Sequence, residues 1–178
     1  GHGSNVRALQ TTAIYDKESQ QFELHTPTLQ SIKWWPGTLG KIGTHAIVYA
    51  QLIINDKEYG VHAFMVQIRD QNHRPLAGIE LGDLGSKLGD AANDTGFMRL
   101  SHVRIPREHM LMRHQRVTRD GQYIMSEKKQ QNSKLSYLTM MFTRGGLIKI
   151  ASGKLAIACT IAARYSCVRR QGFVDNAA

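Results

Sequence analysis

Two stretches of sequence decide the fold class: AIVYAQLII at residues 46–54 and VHAFMVQIR at residues 61–69. The first is long and apolar, and the second alternates apolar and polar residues, as a strand with one buried face does. Between them, NDKEYG at residues 55–60 supplies the Asn, Asp and Gly that are typical of turns. The two stretches therefore predict a β-hairpin.

Shorter strands are predicted elsewhere in the first two-thirds of the chain. β-branched and aromatic residues occupy positions 11–15, Phe22 and Leu24 alternate with polar residues, and residues 96–105 alternate until Pro106 ends the pattern. A further short strand is predicted at 79–81, whereas residues 82–94 contain three glycines and are predicted to form an irregular loop. Several short strands separated by turns favour an antiparallel β-barrel or sandwich.

The pattern changes after residue 132. From Leu135 to Arg170, small and apolar residues recur at steps of three and four, which predicts one long helix with an apolar stripe. Its length would be about 48 Å, and Gly145–Gly146 is a candidate bend. The predicted fold class is therefore α+β, mainly β, with an antiparallel barrel or sandwich over 1–132 and a long C-terminal α-helix within 133–178.

The composition limits the class of protein. Lys and Arg outnumber Asp and Glu by 23 to 14, a formal charge of +9, which predicts an anionic partner such as nucleic acid, a phosphate-bearing cofactor or a CoA ester. The basic residues are scattered and do not alternate with aromatic residues along one stripe, so a nucleic-acid groove is not specifically indicated. No run approaches the roughly 18 apolar residues of a membrane span, and no span is expected.

Disulfide and metal chemistry are not expected. Cys159 and Cys167 are the only cysteines, and eight residues apart in a predicted helix they cannot bridge each other. The zinc patterns CxxC and HExxH do not occur. The chain begins GHGSN, without a leader pattern or an initiator Met. Together with a long helix that has no predicted partner helix, this favours a processed chain, a fragment or a tight oligomer.

The candidate functional motif is KWWPG at residues 33–37. Each Trp carries about 200 Å² of surface and an N–H that needs a partner, Pro36 fixes φ, and Gly37 permits a tight or left-handed backbone. Flat aromatic surface beside an exposed glycine suits a planar, hydrogen-bonding ligand. Considered alone, the same five residues are more typical of a core Trp pair closed by a Pro-Gly turn.

Several motifs in the same order resemble one enzyme family, the peroxisomal acyl-coenzyme A oxidases. The resemblance covers residues 1 to about 171, nearly the whole chain. The segments that carry it are GHGSNVRALQTTA at 1–13, KWWPG at 33–37 with LGK at 39–41, VRIPR at 103–107 with MLM at 110–112, and ARYS at 163–166 with VRRQ at 168–171.

The resemblance implies an activity and a domain arrangement. Family members bind FAD, oxidise a fatty acyl-CoA to the trans-2-enoyl-CoA and reduce O2 to hydrogen peroxide, and they act as dimers in the peroxisome. Residues 1–132 would be the family's middle β-barrel domain, and residues 133–178 the start of its C-terminal helical domain. The family's catalytic glutamate lies in a later helical domain, so no catalytic residue is assigned to this chain.

The resemblance also implies roles for individual residues. FAD contacts are expected from Gly3, Ser4, Trp35, Pro36 and Gly37, and contacts to the FAD of a neighbouring subunit from Arg169 and Gln171. An Arg suits a pyrophosphate because its guanidinium donates two parallel hydrogen bonds. Contacts to acyl-CoA are expected from Lys134, Tyr137 and Arg144.

Three alternatives remain open from the sequence. The chain could derive from an acyl-CoA dehydrogenase that passes electrons to another acceptor, because oxygen reactivity is not encoded in any one of these motifs. A basic β-barrel that binds nucleic acid would explain the charge of +9, but it leaves KWWPG and the long helix without a role. The third alternative is a unit that serves assembly alone.

Overall fold

The computed structural model describes residues 5–89, 91–126, 135–170 and 172, and the side chains of the long helix from residue 141 onward. The chain divides into two compact units, Gly1–Glu127 and Lys128–Ala178. In the described part of the first unit the strands are β1 Thr12–Asp16, β2 Gln21–His25, β3 Lys33–Gly37, β4 His45–Ile54, β5 Lys57–Gln67, β6 Ile79–Asp83, β7 Thr95–Leu100, β8 Val103–Pro106, β9 Gln115–Val117 and β10 Tyr123–Met125.

The strands form three sheets. The largest has the order β5-β4-β1-β2-β8, the second has the order β3-β7-β6, and β9 pairs with β10 alone. A short 3₁₀ turn at Val6–Ala8 precedes β1, and others at Leu29–Ser31 and Arg107–His109 connect β2 to β3 and β8 to β9. The mixture of β-sheets and one long helix confirms the predicted α+β, mainly β class. Within the described residues the sheets do not close into a barrel.

The predicted β-hairpin is confirmed and forms the longest ladder. His45 pairs with Gln67 at one end of β4–β5, and Ile54 pairs with Lys57 at the other. Asn55 and Asp56 connect the strands with φ values of +49° and +59°. These two residue types adopt a left-handed backbone more readily than most, which explains why a two-residue turn closes the hairpin here.

One ladder departs from the predicted antiparallel arrangement. β1 and β4 run parallel, with Thr12 opposite Gln51 and Ile14 opposite Ile53. After β2 the chain enters the second sheet at β3 before it returns as β4, and this crossover places β4 beside β1 in the same direction. The expectation of a purely antiparallel sheet is therefore wrong.

A single buried cluster takes side chains from both of the larger sheets. Phe22 and Phe64 are fully buried in the five-stranded sheet, with ring centroids 5.1 Å apart in an edge-to-face arrangement. Met98 and Leu100 of β7 contribute from the three-stranded sheet to the same cluster. The burial of alternate residues in β2 and β5 follows the period of two that the sequence predicts.

Three strands were not predicted, and one predicted strand is divided. Pro36–Gly37 predicted a turn, yet both residues lie at the end of β3. The segment 96–105 turns at His102, whose φ is +51°, and so forms β7 and β8 rather than one strand. The third sheet consists of the two remaining strands, β9 and β10, which have three residues each and are too short to show a period.

The second unit contains the predicted long helix, α1, at Leu135–Val168. The expectation of a single apolar stripe is wrong, because exposed apolar side chains lie on every side of the helix. Phe142 is 88% exposed and Ile148 75% exposed, and Leu155, Ile161 and Val168 are exposed as well. A helix that is apolar all round is typical of the interior of a larger assembly or of a membrane.

Part of α1 is long and apolar enough to cross a membrane, judged by length and composition alone. This part is Met141–Val168, with a mean hydropathy of 1.5 over its best window and none of that window buried. A span was not expected from the sequence because Lys149 and Lys154 interrupt the run of apolar residues, whereas the mean hydropathy of the window stays high. One such helix is weak evidence for a membrane span, since core helices have the same composition.

Candidate functional site

Both tryptophans of the candidate motif lie at the surface of the first unit. Trp34 and Trp35 are each 57% exposed, so the alternative of a core Trp pair is wrong. Trp34 stacks on Phe97 of the neighbouring strand β7, with ring centroids 5.6 Å apart and an interplanar angle of 20°. This stack orients one indole and leaves flat aromatic surface accessible.

The backbone at Trp35 is unusual. Its φ is +83°, a left-handed value that is rare for a bulky residue. The β3–β7 register shifts between Trp34, which pairs with Phe97, and Gly37, which pairs with Thr95. A bulge of this kind redirects a side chain and persists only where the surroundings determine it.

Gly37 borders open space. A Cβ added to Gly37 would have no atom of the chain within 4 Å. Its φ is outside the left-handed range, so the backbone there does not require glycine. The motif therefore combines accessible indole surface with an uncrowded backbone, which is the geometry that a planar ligand needs to approach closely.

The segment after Gly37, residues 38–44, is here called the β3–β4 loop. Its amide and carbonyl groups are hydrogen-bonded to two residues from other parts of the chain. The buried Arg69 donates to the carbonyl oxygens of Leu39, Gly40 and Gly43, at 2.9, 2.7 and 2.6 Å. Asp94, which precedes β7, accepts hydrogen bonds from the backbone amides of Lys41 and Ile42.

Glycines allow the loop to pack closely against the three-stranded sheet. A Cβ on Gly96 would lie 2.4 Å from the amide nitrogen of Gly40, and a Cβ on Gly40 would lie 3.1 Å from the Cα of Asp83 in β6. Two backbones can approach this closely only where no side chain intervenes. The loop is thus fixed both by hydrogen bonds and by contact with β6 and β7.

Lys33 links the two larger sheets beside the Trp pair. Its ammonium group donates to the carbonyl oxygen of Tyr49 on β4, at 2.8 Å. Burial lowers the pKa of Lys33 to about 8, because desolvation disfavours the charged form. Lys33 is therefore a titratable group at the start of the candidate motif, and its burial was not predicted from the sequence.

Two residues predicted to bind ligands lie on or beside α1. Arg144 is exposed on the helix, and Arg169 follows its last residue, with the Arg169 amide donating to the Tyr165 carbonyl at 2.9 Å. The backbone of Tyr137 belongs to α1, whereas its side chain is outside the described part. The predictions at Gly3, Ser4, Lys134 and Gln171 also lie outside the described residues.

Among the described residues, no group of three or more His, Cys, Asp or Glu side chains could bind a metal ion. The arrangement near Trp35 contains aromatic surface, a glycine and a lysine. It suits binding and orientation of an organic ligand. The arrangement near Trp35 does not contain a described acid and base that are hydrogen-bonded to each other.

Arg69 and Asp94 are the residues near the motif that sequence reasoning missed. Each contacts the backbone of a loop that is more than 25 residues away in sequence, with Arg69 hydrogen-bonding to Gly43 and Asp94 to Lys41. No spacing rule relates an isolated Arg or Asp to distant peptide groups. Their location after β5 and before β7 was the one hint available from the sequence.

The chain resembles known acyl-CoA oxidases at every level of comparison. The family model described as "Acyl-CoA oxidase, C-alpha1 domain" matches residues 137–178. Peroxisomal acyl-coenzyme A oxidase 1 of Arabidopsis thaliana is 51% identical over 180 residues, covering 99% of this chain and 27% of that protein. The protein of the same name from Bos taurus is 51% identical over 176 residues, covering 98% and 26%.

Solved structures agree with the sequence comparisons. Arabidopsis thaliana acyl-CoA oxidase 1 superposes with a TM-score of 0.85 at 49% identity, covering 99% of this chain and 27% of that one. Acyl-CoA oxidase-2 of Caenorhabditis elegans, bound with FAD, ascaroside-CoA and ATP, gives a TM-score of 0.81 at 48% identity, covering 99% and 26%.

Both kinds of comparison show that the chain is similar to acyl-CoA oxidases, in sequence and in fold. The recognition made from the sequence motifs is confirmed, because the chain is about half identical to acyl-CoA oxidases over nearly its whole length. The chain spans about a quarter of the length of the curated relatives it matches.

Proposed function

We propose that this chain is part of an FAD-dependent acyl-CoA oxidase, which converts a fatty acyl-CoA to the trans-2-enoyl-CoA and reduces O2 to hydrogen peroxide. The observation that carries the proposal is the exposed Trp pair beside the open backbone of Gly37, in a chain about half identical to acyl-CoA oxidases. Relatives named as peroxisomal support the same location for this protein.

The site near Trp35 fits the flat ring system of FAD. The indoles are accessible, and the space beside Gly37 admits a ligand without displacing any atom of the chain. When bound, FAD supplies the capacity to accept a hydride from the substrate. In this proposal Trp35, Pro36 and Gly37 contribute the surface that orients the cofactor, together with Gly3 and Ser4.

Charged residues of the second unit are proposed to bind phosphate-bearing ligands. Arg144 is exposed and available to an anionic group, and with Lys134 and Tyr137 it is assigned to the acyl-CoA. Arg169 and Gln171 are assigned to the FAD of a second subunit. This arrangement requires a homodimer, in which each cofactor contacts both chains.

The proposed domain division is 1–132 for the middle β-domain and 133–178 for the start of the C-terminal helical domain. The single core shared by both larger sheets supports the barrel or sandwich description that the family resemblance implies for the β-domain. The apolar surface on all sides of α1 is consistent with a helix enclosed by other helices of the complete protein. A membrane span is not needed to explain that surface.

The first test is the Gly37→Ala variant of the complete protein. The added methyl group meets no atom of the chain, so the melting temperature should stay within about 1 °C of wild type. The same methyl group occupies the space assigned to FAD, so the FAD dissociation constant should rise at least about tenfold. Flavin fluorescence titration of the flavin-free protein measures this constant.

Gly96→Ala is the contrasting control. Its methyl group would lie 2.4 Å from the Gly40 amide nitrogen. This variant should therefore lower the melting temperature, whereas Gly37→Ala should not. Unchanged FAD affinity in Gly37→Ala would contradict the proposed site.

The electron acceptor is tested separately, by comparing peroxide release from palmitoyl-CoA with reduction of an artificial acceptor by the wild-type protein. Turnover with the artificial acceptor and no oxygen consumption would favour a dehydrogenase.

A further inference from the structure

We propose that Arg69 and Asp94 are positioning residues for the Trp35–Gly37 segment and act on it through the β3–β4 loop. Neither residue is expected to touch the cofactor. The inference rests on the proposed function, because it concerns how the same FAD-binding segment is held in its binding conformation.

Arg69 depends on the loop for its hydrogen bonds. It is 4% exposed, and among the described residues no carboxylate forms a salt bridge with it. A buried guanidinium is unfavourable unless polar partners replace its hydration. The carbonyl oxygens of Leu39, Gly40 and Gly43 are the partners that Arg69 has here. Arg69 therefore stabilises the loop conformation in which all three carbonyl oxygens face its guanidinium group.

Asp94 contacts the other set of backbone groups in the loop. Its carboxylate Oδ2 accepts from the amides of Lys41 and Ile42, at 3.0 and 2.9 Å. Its own carbonyl oxygen accepts from the Thr38 amide at 2.6 Å. Arg69 thus contacts acceptors of the loop and Asp94 contacts donors, so two opposite charges together specify the orientation of its peptide planes.

The loop transmits this constraint to the candidate site because the two are continuous. Thr38, whose amide bonds to Asp94, directly follows Gly37 and has a φ of +62°. Trp35, three residues before Thr38, has a φ of +83° within the β-bulge. Two non-glycine residues in left-handed conformations are costly, and they persist only when neighbouring contacts determine them. On the C-terminal side of the bulge, those contacts come from Arg69 and Asp94.

The experiment uses the complete oxidase with Arg69→Met, Arg69→Lys and the control Arg99→Met. Arg99 lies on β7, its side chain is 53% exposed, and its ion pair with Glu80 measures 4.0 Å. The loop and the site are measured separately for each protein. Amide hydrogen exchange at residues 38–43 in the flavin-free protein measures how often the hydrogen bonds of the loop open. The FAD dissociation constant measures cofactor affinity, and the visible circular dichroism of bound flavin measures the cofactor's environment.

Arg69→Met should accelerate exchange at Lys41, Ile42 and Gly43 and raise the FAD dissociation constant, each by about tenfold, the effect of losing one net hydrogen bond. It should also change the visible circular dichroism of the flavin that remains bound. Arg69→Lys should give a smaller effect, because an ammonium group restores the charge but cannot match the fork that reaches three carbonyls. Arg99→Met should match wild type in both measurements.

Asp94 is tested in the same way. Asp94→Ala should behave like Arg69→Met, whereas Asp94→Asn should retain most of the affinity, because its amide oxygen can still accept from the loop.

The outcomes separate this inference from the proposed function. A wild-type protein that binds no FAD overturns the proposed function, and no variant is needed to see it. If wild type binds FAD and Arg69→Met leaves either loop exchange or FAD affinity unchanged, the positioning role is overturned. If Arg69→Met does not fold, Arg69→Lys decides by the same two measurements.

Discussion

At the scale of single residues, Lys33 couples stability to pH. Its pKa is about 8 in the folded chain, against 10.5 for an ordinary lysine. Between these values the unfolded chain binds more protons at this position, so the contribution of Lys33 to the free energy of unfolding rises with pH. Below pH 8 both states are protonated, and the cost of burying the charge is present in full.

The variant Lys33→Met removes this dependence. Urea unfolding gives the free energy of unfolding of both proteins at pH 7.5 and pH 9.5. The advantage of Lys33→Met over wild type should be larger at pH 7.5 than at pH 9.5, by about 1–2 kcal/mol. The difference between the two proteins isolates Lys33, because their other titratable groups are shared. A difference that is equal at both pH values would show that Lys33 is not desolvated.

Residue types alone singled out the candidate site, but not how it is built. KWWPG was singled out because flat aromatic surface beside an exposed glycine suits a planar ligand, and both indoles are indeed accessible. The left-handed φ of Trp35 could not be predicted, because bulky residues normally avoid it. The contacts of Arg69 and Asp94 to distant backbone groups depend on the completed fold and leave no local pattern.

At the scale of elements, the β4–β5 hairpin contributes several side chains, Phe64 among them, to the core of the first unit. Phe64 is fully buried and contacts Phe22, whereas its neighbour Met65 points to the opposite face and is 39% exposed. Phe64→Ala should lower the free energy of unfolding by about 3–5 kcal/mol, because it leaves a cavity in a packed interior.

Met65→Ala is the matched control in the same strand. It should cost less than about 1 kcal/mol, because its side chain is already partly in water. Urea unfolding of both variants measures the two losses. Equal losses would mean that the burial pattern of β5 is reversed.

The elements that the sequence predicted are those with a strong period. The hairpin alternates over many residues, and α1 extends over 34 residues, so both were found. The parallel pairing of β1 with β4 was missed because it depends on a crossover between two sheets. The prediction of one apolar stripe on α1 was wrong, because apolar residues at three- and four-residue spacings occur on the other sides of the helix as well.

At the scale of the whole molecule, the chain alone is predicted to be inactive. No catalytic residue is assigned to it, and loss of a general base by itself typically lowers a rate by about 10²–10⁴-fold. Purified as given, the chain should release peroxide from palmitoyl-CoA at a rate far below that of a complete oxidase. Peroxide formation coupled to a dye measures this, with a full-length acyl-CoA oxidase as the reference. Comparable turnover would contradict the assignment of catalysis to other parts of the protein.

The apolar surface around α1 has a consequence for synthesis and quality control. Wherever α1 is not covered by other polypeptide, Phe142, Ile148 and Val168 stay exposed to water. Chaperones that recognise exposed apolar surface would bind α1 in that state, and a chain in which α1 stays uncovered would be prone to aggregation. The exposed apolar surface of α1 therefore distinguishes an unassembled chain from an assembled one.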